Sequence, residues 1–123
     1  MIEIIDQLIE IAKKIRDVNG NVFRAYPQVN LRGESYIIIN PTMRTPVMTE
    51  NGEEVIVQLA YSVQFFSDSP ESVDQIFGTL TKLYNEKNIC CTGYSPAYMS
   101  DNETFCATAS YMGTVDKRGY VYH

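Results

Sequence analysis

This 123-residue chain has very little histidine, no tryptophan and no recognisable glycine motif. It has no tryptophan, and its one histidine is His123, the last residue. A nucleophile needs a base within reach and an orienting group behind it, so we expect no histidine-based triad. The seven glycines are scattered and form neither a phosphate loop nor a dinucleotide fingerprint. The sequence therefore predicts no active site and no cofactor.

Cysteine is also sparse, with three residues in all. Cys90 and Cys91 are adjacent, and neighbouring residues of a strand point to opposite faces, so these two do not form one site. With Cys106 as the third and His123 as the sole further candidate ligand, no spacing matches a zinc knuckle. We expect reduced, partly buried thiols and no metal site.

Basic runs are missing as well. Fifteen acidic and ten basic residues give a net charge of −5, and no run of Lys or Arg exceeds two residues. A nucleic-acid groove held by phosphate contacts is therefore not expected, and no sequence-specific nucleic-acid partner is predicted. No signal peptide or membrane span is visible, so we expect a cytosolic protein. Ordinary globular composition, 45% hydrophobic and 20% charged, predicts a single domain over residues 1–123.

The first predicted element is a helix over Ile2–Val18, ended by Asn19-Gly20. Its apolar arc spans roughly 200°, whereas a surface helix needs little more than ~100°. The spare side of this arc carries Ile2, Ile5 and Ile9, which we predict to be a subunit interface. The alternative is that the loop around 28–35 folds over it.

The middle of the chain predicts a projecting hairpin. A short strand over Val22–Tyr26 precedes a second one, Tyr36–Ile39, which Asn40-Pro41 should halt. Thr45–Thr49 then pairs through an Asn51-Gly52 turn with a long alternating strand, Glu54–Phe66. That strand would reach ~43 Å, against a radius of gyration of ~14 Å for a compact chain of this length. Part of the hairpin, Thr45–Val57, should therefore project as an arm.

Ser69-Pro70 predicts the start of a second helix that runs to about Glu86. A short strand over Ile89–Thr92, a loop over Gly93–Asn102 and a long strand over Thr104–Val115 follow. Tyr120–Tyr122 is predicted as a final edge strand or docking tail. The predicted fold class is α+β, with a mostly antiparallel sheet, two helices packed on one face and the order α-β-β-β-α-β-β.

Two further groups of residues have two interpretations each. Asp6 and Glu10 lie one helical turn apart, as a carboxylate pair would, but the charged arc around them indicates a solvated face. Tyrosine is abundant near the end of the chain, where interface enrichment and ordinary strand preference explain it equally well. These residues are Tyr94, Tyr98, Tyr111, Tyr120 and Tyr122.

The succession of elements resembles a known group of proteins. An Ile-rich first helix is followed by a strand end at Tyr26-Pro27 and an extended hairpin. The next strand ends in Val63-Gln64-Phe65-Phe66-Ser67, and a Ser-Pro-capped helix and a strand pair complete the chain. This order resembles the tail terminator, tail completion and head–tail joining (neck) proteins of long-tailed bacteriophages and prophages.

The resemblance implies a non-enzymatic structural protein that forms a ring, commonly sixfold, at the head-proximal end of the tail. Such a ring ends tube growth, joins tail to head, and meets the tail-tube protein and the head connector. The protein would lie in the virion, and in the host cytoplasm during assembly. Ring closure needs two different patches. We predict that these include Ile2, Ile5 and Ile9 on the helix and the hairpin residues Met48, Asn51, Gly52, Val55 and Val57.

The alternative hypothesis is a small cytosolic ligand-binding or regulatory module. Its ligand would lie against the mixed face of the long strand, with Gln58, Ser62 and Gln64 as polar contacts.

Overall fold

A computed structural model describes residues 2–24, 31, 34–101 and 104–122 of the chain. The predicted strand end at Tyr26-Pro27, most of the loop 28–35, and His123 lie outside these residues. The first part of the described chain contains α1 (Ile5–Ala12), a 3-10 turn (Arg16–Val18), β1 (Val22–Phe23), β2 (Tyr36–Glu50) and β3 (Glu53–Ser67). The second contains α2 (Pro70–Asn85), β4 (Cys90–Asp101), β5 (Thr104–Asp116) and β6 (Val121–Tyr122).

The strands form a single mixed sheet in the order β1-β2-β3-β5-β4, with β6 paired to β5. Only the short β1 runs parallel to its neighbour, and the other pairs are antiparallel. β6 pairs with Thr114 and Val115 of β5, just beyond Met112, where β4 begins with Cys90. It therefore extends the row that β4 occupies. The predicted α+β class is confirmed.

β2 is one continuous strand, so the prediction that Asn40-Pro41 halts it is wrong. The register of β2 against β3 shifts after Pro41 and again after Pro46, and both shifts are irregularities of the β-bulge type. Proline lacks an N–H group and is tolerated where one side of the strand has no partner, or at a bulge. Both conditions hold here, and the strand runs through both prolines.

β4 is also longer than predicted, because the segment interpreted as a loop from Gly93 onward is strand as far as Asp101. Its register against β5 shifts between Ser95 and Tyr98, at the position of Pro96. As in β2, the proline lies at a bulge in an edge strand.

Both helices pack on the same face of the sheet and enclose the main core. The core takes alternate residues of β3, from Val57 to Phe65, together with Leu8 of α1 and Leu80 of α2. α1 is shorter than the predicted Ile2–Val18. Ile15 is extended, with φ −73° and ψ 118°, and this break lets the chain turn while Ile15 and Val18 both remain buried.

Side chains accept backbone N–H groups at the start of both α-helices. The Glu3 carboxylate accepts hydrogen bonds from the N–H groups of Ile4 (2.7 Å) and Ile5 (2.8 Å) before α1. Ser69 accepts the N–H of Ser72 at 3.2 Å, and Pro70 occupies the first turn of α2, as predicted. Neither of the described helices combines the length and apolar character that crossing a bilayer requires.

Candidate assembly surface

The outer edge of β2 is open over most of its length. Among the described residues, its strand partner on that side is β1, which pairs only with Ile37 and Ile38. From Pro41 to Glu50 every residue except Arg44 is exposed. Three are large and apolar: Met43 is 41% exposed, Val47 60% and Met48 51%. We call Pro41–Glu50 the β2 edge.

Arg44 is the exception because it fastens the start of the chain to the hairpin. Its guanidinium donates to the carbonyl oxygen of Ile2 and pairs with the Glu54 carboxylate. On the same helix-covered face, the Tyr61 hydroxyl donates to the Glu3 carboxylate. Burial, followed by this hydrogen bond, raises the pKa of Tyr61, which keeps the hydroxyl protonated as a donor.

The predicted interface on α1 is wrong in two of its three residues. Ile2 is 8% exposed and Ile5 1% within the single chain, and the half-buried Ile9 packs against the core. The wide apolar arc is covered because the helix meets the sheet on one side and α2 on another. The Tyr84 hydroxyl of α2 donates to Leu8 O at 3.0 Å and ties the two helices together.

The hairpin tip is exposed, but its projecting part is shorter than predicted. Asn51 (φ 54°) and Gly52 (φ 80°) form the turn and, like Met48, lie in solvent. β5 reaches β3 as far as Ile56, so the ribbon leaves the sheet only beyond that residue. Val57 pairs with Val115 and is 0% exposed, which removes it from the predicted interface, and Val55 is half-buried.

The opposite border of the sheet is formed by β4 and, in line with it, β6. Within the described part of the chain, both pair with β5 alone. Large side chains are exposed here too: Tyr98 and Met99 on β4, and Tyr120 and Tyr122 around β6. We call Cys90–Ser95 together with β6 the β4–β6 edge.

Asp116 fixes the turn that leads into β6. Its carboxylate accepts hydrogen bonds from the N–H groups of Arg118 (2.9 Å) and Tyr120 (3.1 Å), from the Arg118 guanidinium (2.7 Å), and from the Tyr122 hydroxyl (3.0 Å). The Arg118 pairing, then the backbone donors, lower the pKa of Asp116 to about 2. The ionised carboxylate therefore holds Tyr120 and Tyr122 in place at the border.

The tyrosines near the end of the chain divide between core and surface. Tyr111 is buried and Tyr94 stacks on Phe77 at 3.8 Å between ring centroids, which is strand packing. Tyr98, Tyr120 and Tyr122 are exposed and remain available to a partner. Sequence reasoning did not locate them on one border because it interpreted the second half of β4 as a loop.

The polar residues of the ligand-binding alternative do not line the apolar groove beside α1. Gln58, Ser62 and Gln64 are half-buried on the face of the sheet away from the helices. A groove of about 650 Å³ lies instead between α1, the end of α2 and β6. Asp6 and Glu10 line its rim and are exposed, which agrees with the solvated-face interpretation.

The three cysteines occupy three environments. All are free: Cys90 is exposed, Cys91 half-buried and Cys106 buried, and burial raises the pKa of Cys106. Within residues 2–24, 31, 34–101 and 104–122, no group of three His, Cys, Asp or Glu side chains is placed to hold a metal ion.

No protein-family model matches the chain, and no curated protein matches its sequence. The two open borders of the sheet and the exposed hairpin tip therefore supply the grounds for a functional proposal.

Proposed function

We propose that this protein is a structural assembly protein of a bacteriophage or prophage. It forms a ring at the head-proximal end of the tail, where it ends tube growth or joins the tail to the head. The observation that supports this most directly is the β2 edge, an exposed strand edge with three large apolar side chains in solvent. Such an edge is a template for pairing with another chain.

The open edge is also guarded against indiscriminate pairing. Pro41 and Pro46 interrupt its donors, and Glu50 and Glu53 place negative charge at the hairpin tip. An edge that is exposed but restricted suits a protein that meets one defined partner surface. Ring closure needs such a surface, because each copy presents one patch and receives another.

The remaining features fit a structural role beside DNA. The net charge of −5 and the lack of basic runs suit a ring whose lumen passes DNA without gripping it. The partners in this proposal are further copies of the chain, the tail-tube protein and the head connector. The protein has no catalytic function in this account.

Mass photometry of the purified protein tests the proposal. The chain alone, and the chain mixed with the tail-tube protein encoded in the same genome, should be compared at equal concentrations. We expect a ring-sized species in at least one of the two samples, absent from the tube protein alone. A chain that stays monomeric in both would contradict the proposal and favour the ligand-binding alternative.

A further inference from the structure

The two open borders of the sheet run in directions that suit each other. β2 is antiparallel to β3, β3 to β5, and β5 to β4, so β2 and β4 of one chain point in opposite directions. Rotation about an axis roughly parallel to the strands preserves these directions from copy to copy. The β4 strand of one copy would therefore meet the β2 strand of the next in the antiparallel sense, which is the more stable pairing.

The β2 edge and the β4–β6 edge overlap in height over the rows from Pro41 to Pro46. Met43 is opposite Ala60, Ala60 opposite Met112, and Met112 opposite Cys90, so Met43 and Cys90 end the same row. Towards the hairpin tip, Thr45 shares a row with Tyr122 of β6 through Gln58 and Thr114. Copies set side by side without axial shift would bring these residues together.

On each border, proline limits the length of strand that can pair with another chain. Pro41 and Pro46 bound Thr42–Thr45 on β2, and Pro96 bounds Cys90–Ser95 on β4. Met43 and Cys90 are the one pair from these two runs that shares a row. Cys91 lies in the row of Pro41, and Thr45 lies in the row of Tyr122, so Thr42–Thr45 faces the part of the border between Cys90 and β6. Exposed Met43 and Val47 face a border that carries exposed Tyr120 and Tyr122, and sulfur–aromatic and apolar contacts suit both sets.

We infer that the occupant of the β2 edge is a second copy of this chain, which presents its β4–β6 edge. The contact is heterologous: Thr42–Thr45 of one copy lies antiparallel to the β4–β6 edge of the next copy, between the row of Cys90 and the row of Tyr122. This inference rests on the proposed ring and names the two surfaces that close it.

Cross-linking to the native thiol of Cys90 tests this contact. The single substitutions Asn40→Cys, Met43→Cys and Thr45→Cys each place a new thiol on β2, at three heights and on the same face of the sheet as Cys90. Paired strands bring Cα atoms to ~4.5–5.5 Å, within the range of a disulfide. We expect copper-phenanthroline oxidation of the assembled Met43→Cys protein to give a ladder of oligomers on a non-reducing gel. A ladder from Asn40→Cys or Thr45→Cys in place of Met43→Cys would indicate that neighbouring copies are shifted relative to each other along the ring axis.

Two controls make the result specific. Adding Cys90→Ser to the reactive variant should abolish the ladder, and Thr79→Cys on the exposed side of α2 should give none. A ladder that survives Cys90→Ser would overturn the inference. The inference would also be overturned if mass photometry showed intact rings but none of the three variants gave a ladder. In that case the proposed ring would remain supported, and only the assignment of its contact surfaces would be wrong. Failure of every variant and of the unmodified chain to assemble would instead contradict the proposed function.

Discussion

Replacing Ile5 with alanine should lower the free energy of unfolding of the monomer by about 2–4 kcal/mol. Ile5 is 1% exposed and lies in the main core beneath α1. Truncation removes buried apolar surface and leaves a cavity that helices and sheet close only in part, so the loss exceeds the transfer free energy alone. Chemical denaturation of the purified chain, followed by circular dichroism at several protein concentrations, measures the change.

Ile9→Ala is the matched control, because it makes the same substitution on the same helix. Ile9 is half-buried at the margin of the core, so its loss should be clearly smaller than that of Ile5. The burial of Ile5 in the monomer would be contradicted if both substitutions lowered the free energy of unfolding equally. It would also be contradicted if the Ile5 substitution lowered that free energy only in the assembled protein, and Ile5 would then be an interface residue, as the sequence predicted.

Placing two lysines on the β2 edge should raise the concentration at which half of the chain is assembled by at least about tenfold. The variant combines Met43→Lys with Val47→Lys, both at exposed apolar positions. Assembly would have to desolvate both ammonium groups, and a tenfold change corresponds to about 1.4 kcal/mol. Mass photometry across a dilution series, with the tail-tube protein present if the ring requires it, gives the midpoint.

The matched control adds the same charge elsewhere. Gln75→Lys with Thr79→Lys lies on the exposed side of α2 and should leave the assembly midpoint unchanged. Both double variants should unfold as the unmodified monomer does, within about 0.5 kcal/mol per site, because the altered side chains are exposed. If the α2 variant also prevented assembly, general charge repulsion and not the β2 edge would explain the loss.

The fold was predictable where local pattern and burial agree. The alternation of β3 and the Ser69-Pro70 start of α2 each combine two signals, periodicity with a turn or cap, and both predictions were confirmed within a residue or two. The Asn51-Gly52 turn was likewise confirmed, because both residues adopt the positive φ that the hairpin needs.

The predicted strand ends were wrong where the effect of a residue on a strand depends on the position of that strand in the sheet. Pro41 and Pro46 break a central strand but not an edge strand, and the sequence does not state which strand lies at the edge. The segment from Gly93 onward was predicted as a loop but is strand as far as Asp101, so the exposed border with Tyr98 was missed.

The interface prediction on α1 had a different weakness. Arc width measures how much apolar surface a helix carries, not how many neighbours cover it. Ile2 and Ile5 are buried because the sheet and α2 both reach α1, and α2 begins more than 50 residues after α1 ends. The hairpin residues Met48, Asn51 and Gly52 were correctly expected in solvent because turn chemistry is local, whereas the burial of Val57 depends on its pairing with β5.

In the proposed ring, another chain covers the β2 edge. Hydrogen–deuterium exchange is the most direct test of this contact, when the peptide Thr42–Glu50 is compared between the monomer and the ring. The outward amides of this segment have no strand partner among the described residues and should exchange rapidly in the monomer. In the ring they should exchange at least about tenfold more slowly, while the peptide from α2 keeps the same rate in both states. Identical exchange of Thr42–Glu50 in monomer and ring would contradict the account.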